Sequence, residues 1–213
     1  MVWLSSAILL IVAYLLGSLA TGYWLGKALQ GIDLREVGSG STGATNVLRT
    51  LGVKAGVLVL CLDVLKGALA VNLFRLLPSS IAEQIPEQWQ AWLIVGTAIA
   101  AIIGHSKSIF LNFKGGKSVA TSLGVFLAMT PEVGLIVLGI FALVLAIFRI
   151  VSLGSIIGAL TLMITMFLLR EPLPYIVLGL ITGVYVIIRH QSNIQRLLAG
   201  VEPKIGQKLQ ENT

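Results

Sequence analysis

Blocks of unbroken apolar sequence, each near the length of a bilayer crossing, constrain this chain more than any other feature. They fall at 2–25, 53–77, 89–103, 119–129, 133–148, 151–169 and 173–188. A helix needs roughly 20 apolar residues to cross the hydrocarbon of a membrane. The blocks do not alternate apolar with polar, so helices rather than a barrel follow. Only 11% of the 213 residues are charged, whereas an ordinary soluble domain carries about a quarter. The expectation is one all-α integral membrane domain over 1–213 with about seven transmembrane helices. Block 119–129 crosses only if it extends back over Lys117 or if the bilayer thins. Trp3, Tyr23 and Trp24 are placed as interfacial anchors. The first lysine, Lys27, follows the first block, so that block is expected to be retained as a helix, not cleaved as a signal.

The net charge of +6 does not point to nucleic acid, because Lys and Arg in a membrane chain first report orientation. With the N-terminus outside, the inner segments hold Lys27, Arg35, Arg49, Lys54, Lys107, Lys114, Lys117, Arg149, Arg189, Arg196, Lys204 and Lys208. Only Arg75 and Arg170 fall outside. The C-terminus and every polar segment of interest are then cytoplasmic. Within block 53–77, Asp63 and Lys66 stand three apart and share a helical face. They make either an internal ion pair or support for a site. The single cysteine, Cys61, is expected to be a buried, inert thiol.

The small polar residues concentrate in one stretch, Gly38-Ser39-Gly40-Ser41-Thr42-Gly43-Ala44-Thr45-Asn46-Val47-Leu48-Arg49. Three glycines let backbone N–H groups approach a ligand closely, and a helix beginning near Asn46 adds free N–H groups and a positive dipole end. Such a loop suits a phosphate; a flexible connector between two spans is the plainer alternative. A second loop, Lys114-Gly115-Gly116-Lys117, is cationic and glycine-rich at a helix start. A third segment places His190 and Asn193 on one helical face.

Several familiar patterns fail. Gly38, Gly40 and Gly43 fit a dinucleotide fingerprint in spacing, but that motif needs a soluble βαβ unit. Gly116-Lys117-Ser118 resembles a P-loop end, yet position 111 is Leu111 instead of glycine. Neither His105 nor His190 has cysteine or histidine company for zinc, so no metal and no cofactor is expected. Position 110 is Phe110 and position 195 is Gln195, so neither histidine has the aspartate five residues on that a His–Asp acyltransferase pair uses.

Taken in order, the three polar segments resemble the bacterial PlsY family of membrane acyl-phosphate:glycerol-3-phosphate acyltransferases. The first motif is similar to Gly38-Ser39-Gly40 through Gly43-Ala44-Thr45-Asn46 and Arg49. The second is similar to Gly104-His105 with Phe113-Lys114-Gly115-Gly116-Lys117 and Val119-Ala120-Thr121. The third is similar to His190, Asn193-Ile194, Arg196-Leu197, Gly200, Glu202 and Lys204. The chain carries Ser41-Thr42 where the family commonly has Asn-Pro, Lys107-Ser108 where Phe-Pro is usual, and Ser118 where glycine is usual.

The resemblance implies transfer of a fatty acyl group from acyl phosphate to the sn-1 hydroxyl of glycerol 3-phosphate, giving lysophosphatidate and phosphate. It implies the first acylation of phospholipid synthesis, performed in the bacterial cytoplasmic membrane by a multi-pass enzyme working at the cytoplasmic face. Acyl phosphate, glycerol 3-phosphate and membrane lipid are then the partners. Ser39, Gly40, Gly43, Thr45 and Asn46 are expected to hold the acyl-phosphate head. Arg49 and Lys117, with Gly115 and Gly116 beside them, are expected to clamp glycerol phosphate. His190 and Asn193 orient the attacking hydroxyl, and a substrate phosphate oxygen takes its proton.

Overall fold

The computed structural model describes residues 2–207; Lys208, counted above among the inner basic residues, lies outside them. Eleven α-helices follow one another among the described residues: α1 (Val2–Ser18), α2 (Thr21–Gln30), α3 (Ala44–Leu51), α4 (Val53–Asn72), α5 (Ser79–Ala82), α6 (Glu87–Ser106), α7 (Val119–Met129), α8 (Pro131–Phe148), α9 (Val151–Leu168), α10 (Leu173–Arg189) and α11 (Gln191–Leu198). Proline opens α8 and lies in the first turn of α10, where its missing N–H costs nothing and its fixed φ favours the helix.

Five segments are long and apolar enough to cross a membrane: Trp3–Gln30, Val53–Leu76, Glu87–Ser106, Pro131–Phe148 and Val151–Leu168. A sixth is Leu173–Arg189 with Gln191–Leu198, bent by 58° at His190. All seven apolar blocks became helix, but α7 does not reach across. Its 11 residues rise about 16 Å against a hydrocarbon layer of about 30 Å. Backward extension over Lys117 does not occur, because Ser118 turns the chain with φ 64. Exposed Leu135, Ile147 and Leu168 give the outer faces their hydrocarbon surface. Cys61, expected inside, is exposed on α4.

The first block differs from the expectation of one helix from 2 to 25: it breaks at Leu19–Ala20 and resumes as α2. A break inside a bilayer leaves polar backbone that water cannot satisfy. Lys66 of α4 and Ser108 supply backbone partners there, and the buried Asp63 holds Lys66 in place. Lys66 Nζ donates to the Leu19 carbonyl at 2.7 Å, and Asp63 Oδ1 accepts from Thr21 Oγ1 at 2.8 Å. The two charges meet at 2.9 Å. Asp63 also lies 3.6 Å from His105 Nδ1 on α6. The internal ion pair is therefore present, and it braces the break in the first span.

Helix α4 packs most closely on α7, backbone against backbone. A Cβ at Gly67 would meet the Thr121 carbonyl, and one at Gly124 would meet the Val64 carbonyl. Small residues permit such approach between membrane helices. Val125, Phe126, Leu162, Met166 and Leu178 fill the core that α7, α9 and α10 share. Substitution Gly124→Val should lower the thermal stability of the detergent-solubilised protein, by roughly 1–3 kcal/mol of overpacking. Gly139→Ala, where a new Cβ meets nothing within 4 Å, should leave the unfolding temperature unchanged.

Candidate active site

A cavity of about 1090 Å³ opens between the polar loops and runs down among the helices. Its mouth is lined by Ser39, Thr45, Arg49, Lys117, His190 and Asn193. Deeper, its walls are Leu60, Phe126, Val137, Phe141, Gly158 and Leu162. One continuous space thus joins a cationic rim to a hydrocarbon interior.

The glycine loop owes its shape to left-handed backbone at Gly38 (φ 60) and Gly40 (φ 68), which residues with a Cβ rarely adopt. Asn46 fastens it. Its Oδ1 accepts the Ser39 N–H at 3.0 Å, and its Nδ2 donates to the carbonyls of Leu34, Val37 and Ser41 at 3.1, 3.1 and 2.9 Å. With 1% of its surface exposed, this amide is spent on the loop. Val47, packed with Leu34, Ala55 and Val59, seats α3. The N–H groups of Ala44 and Thr45 stand in the first turn of α3, where no intrahelical acceptor exists.

The second loop is held from behind. Gly116 N–H donates to the His105 carbonyl at 3.2 Å, and the Gly116 carbonyl accepts Arg189 Nη2 at 3.0 Å. A Cβ on Gly116 would strike His105 Nε2, and one on Gly115 the His105 carbonyl. Ser118 Oγ donates to the Ile102 carbonyl at 2.7 Å. Lys117 is thereby pointed from a fixed base, and its Nζ donates to Asn193 Oδ1.

The third segment is organised by Glu202, which is 8% exposed. Its Oε1 accepts from Asn193 Nδ2 and Ser152 Oγ, each at 2.6 Å, and its Oε2 accepts Arg196 Nε at 2.7 Å. Burial works to raise this carboxyl, but those hydrogen bonds outweigh it and hold Glu202 below its ordinary value. Arg49 Nη2 donates to the Pro203 carbonyl at 3.2 Å, and Ile205 N–H donates to the Arg149 carbonyl at 2.7 Å. The segment after α11 is so tied across the cavity mouth. His190 Nδ1 lies 2.7 Å from the Val186 carbonyl. That partner requires the proton on Nδ1 and leaves Nε2 as an acceptor.

Ser39, Gly43, Thr45, Asn46, Arg49, Lys117, His190 and Asn193 line the one cavity. Gly40 and Gly115 instead line a separate cavity of about 270 Å³ with Arg35 and Lys107. Gly116 is buried against the His105 ring, so its small size serves packing. Glu202 and Ser152 were not expected as site residues. The available signal was that Glu202 is the sole carboxylate between Glu171 and Glu211, set among Arg189, Arg196 and Lys204.

A sequence model of the family described as Glycerol-3-phosphate acyltransferase matches residues 7–200. Proteins named glycerol-3-phosphate acyltransferase are similar along nearly the whole chain. The one from Trichormus variabilis is 59% identical, covering 99% of this chain and 97% of its own length. That from Nostoc sp. is 60% identical with the same coverage. Among solved structures, PlsY (YgiH), an integral membrane glycerol 3-phosphate acyltransferase, in its glycerol 3-phosphate form superposes with a TM-score of 0.84. It is 39% identical and covers 95% of this chain and 96% of that one. The lysophosphatidic acid form gives 0.81 at 37% identity.

Burial pushes Lys117 down to about 8; Glu202 opposes that shift, while Arg196, Arg189 and Arg49 add to it. The ammonium is present below that pH and is lost as pH rises through it. Binding of a phosphomonoester, followed by calorimetry, should therefore weaken above about pH 8. The Lys117→Arg protein should keep a flat profile there, because a guanidinium stays charged.

Proposed function

Because the chain belongs to the glycerol-3-phosphate acyltransferase family, we propose that its cavity joins a fatty acyl phosphate to the sn-1 hydroxyl of glycerol 3-phosphate. It is an acyltransferase of the PlsY type. The observation that carries the finer reading is the single cavity whose mouth gathers Arg49, Lys117, His190 and Asn193 and whose depth is apolar. An acyl chain fits the depth, and two phosphates fit the mouth.

In this reading the N–H groups of Ala44 and Thr45, with Ser39 and the Thr45 hydroxyl, hold the acyl-phosphate head. Asn46 acts through the loop it fastens. Arg49 and Lys117 grip the glycerol phosphate, and Glu202 acts through Asn193 and Arg196. His190 Nε2 accepts from the neighbouring sn-2 hydroxyl, which orients the sn-1 oxygen against the carbonyl carbon and leaves the sn-1 proton free for the phosphate. The sn-1 oxygen bonds to that carbon, and the bond from the carbon to the phosphate oxygen breaks. The sn-1 proton passes to a phosphate oxygen, a group whose second pKa of about 6 makes it a competent acceptor near neutrality. Lysophosphatidate and inorganic phosphate leave. Protein groups position and neutralise; the substrate moves the proton.

The asymmetry of Lys and Arg supports an outward N-terminus and a cytoplasmic site. The bacterial relatives support the cytoplasmic membrane as the location.

Reconstituted protein offered acyl phosphate, acyl-CoA or acyl carrier protein should turn over the acyl phosphate alone. Turnover with a thioester and none with acyl phosphate would overturn the donor assignment. Both His190→Phe and Asn193→Ala should lower kcat/KM for glycerol 3-phosphate by about tenfold or more, with pH profiles of unchanged shape. Loss of a limb near neutrality in His190→Phe alone would make His190 the base.

A further inference from the structure

The smaller cavity, about 270 Å³, is ringed by Arg35, Lys107, Lys114 and Arg189 and floored by Gly40 and Gly115. Three separate segments deliver these cations: the connector after α2, the loop after α6, and the last turn of α10. Like charges gathered around one space repel, so their convergence needs an anion or a structural reason. Of the carboxylates near Arg35, Asp33 is committed to it at 2.6 Å, and Glu36 acts on it at longer range. Among the described residues, Lys107 and Lys114 have no ion-pair partner. Arg189 uses Nη2 on the Gly116 carbonyl, and its Nε is buried without a hydrogen-bond partner.

The loop holding the two lysines is built to bring them together. Asn112 (φ 53) and Phe113 (φ 58) take consecutive left-handed conformations, which non-glycine residues rarely adopt. They let Phe113 N–H reach the Ser108 carbonyl at 2.8 Å and Ser108 pair with Lys114. Lys107 and Lys114 then flank one closed turn. Tyr14 Oη donates to the Lys107 carbonyl at 2.8 Å, and Ser108 Oγ donates to the Ser18 carbonyl at 2.6 Å, tying that turn to α1. No apolar packing of the lysines explains the arrangement, since both are exposed.

We propose that this cavity is a second phosphate site, which takes a phosphate dianion either as the free ion or as the terminal phosphomonoester of a lipid headgroup. It lies apart from the reaction cavity and contributes Gly40 and Gly115 from its own side of the two glycine loops. Its volume of about 270 Å³ admits a phosphate head. Arg189 is shared: it faces this cavity and also holds the carbonyl of Gly116, next to Lys117. The site does not depend on which acyl donor the enzyme uses.

Equilibrium dialysis of labelled inorganic phosphate against the full chain in low-salt detergent tests it. Wild type should show two classes of binding. Lys107→Gln with Lys114→Gln should weaken one class about tenfold, with unfolding temperature and turnover in phosphate-free buffer unchanged. Lys107→Arg with Lys114→Arg should retain both classes, and Lys117→Gln should weaken only the other. Phosphate binding unaltered in the double glutamine variant would overturn the site. In nanodiscs of phosphatidylcholine, displacement of labelled phosphate by added phosphatidate assigns the site to headgroups. Displacement by free phosphate alone assigns it to the aqueous ion. Equal displacement by phosphatidylglycerol, which has no phosphomonoester, would reduce the cavity to a general surface potential and defeat the proposal.

Discussion

A helix broken inside a bilayer exposes backbone that only protein can satisfy, and here that duty falls to Lys66, which Asp63 holds in place. Lys66 covers the Leu19 carbonyl and Asp63 takes the Thr21 hydroxyl. The same Asp63 stands beside His105, whose own carbonyl fastens Gly116. Lys117 follows in the next position. A polar repair at the break in the first span is in this way the footing of a cation at the cavity mouth. Buried ion pairs are poor sources of net stability because desolvation offsets their attraction. This one is better understood as fixing where three helices and a loop stand relative to one another.

Above that footing, Glu202 does for the far wall what Asp63 does below. It receives Ser152 from α9 and Asn193 and Arg196 from α11, so a single carboxylate ties α11 to α9. Removing one partner of such a network leaves another buried and unsatisfied. The net positive charge around the cavity is therefore held by a minority of acids, each with several partners. Anions can enter a space that remains cationic without its cations drifting apart.

The spans and the three polar segments were legible because hydropathy and residue chemistry report them directly. The break at Leu19–Ala20 was not, since no proline or charge marks it; its partners lie 40 residues or more away, in α4. Gly40, Gly115 and Gly116 were assigned to the reaction cavity because spacing cannot say which side of a loop a glycine faces. Glu202 reads in sequence as one acid in a basic tail, and only tertiary contact makes it a hub. Ser118 carries the reverse lesson: it holds a left-handed φ of 64 at a position where the resembling family commonly has glycine, and the Ile102 carbonyl receives its hydroxyl.

The shortness of α7 has a physical result of its own. Between Lys117 and the turn at Thr130–Pro131 the protein offers a slab about half the depth of the surrounding oil. No residue of α7 is exposed, so the shortfall is screened from lipid by the helices around it and opens inward, toward the cavity that Val119, Ala120 and Phe126 line. Under the proposed reaction, a water-soluble ester of glycerol then meets the acyl carbonyl inside the protein-walled cavity, at the carbonyl's own level. Lifting the chain to meet it would instead cost about 0.8 kcal/mol for every methylene brought into water.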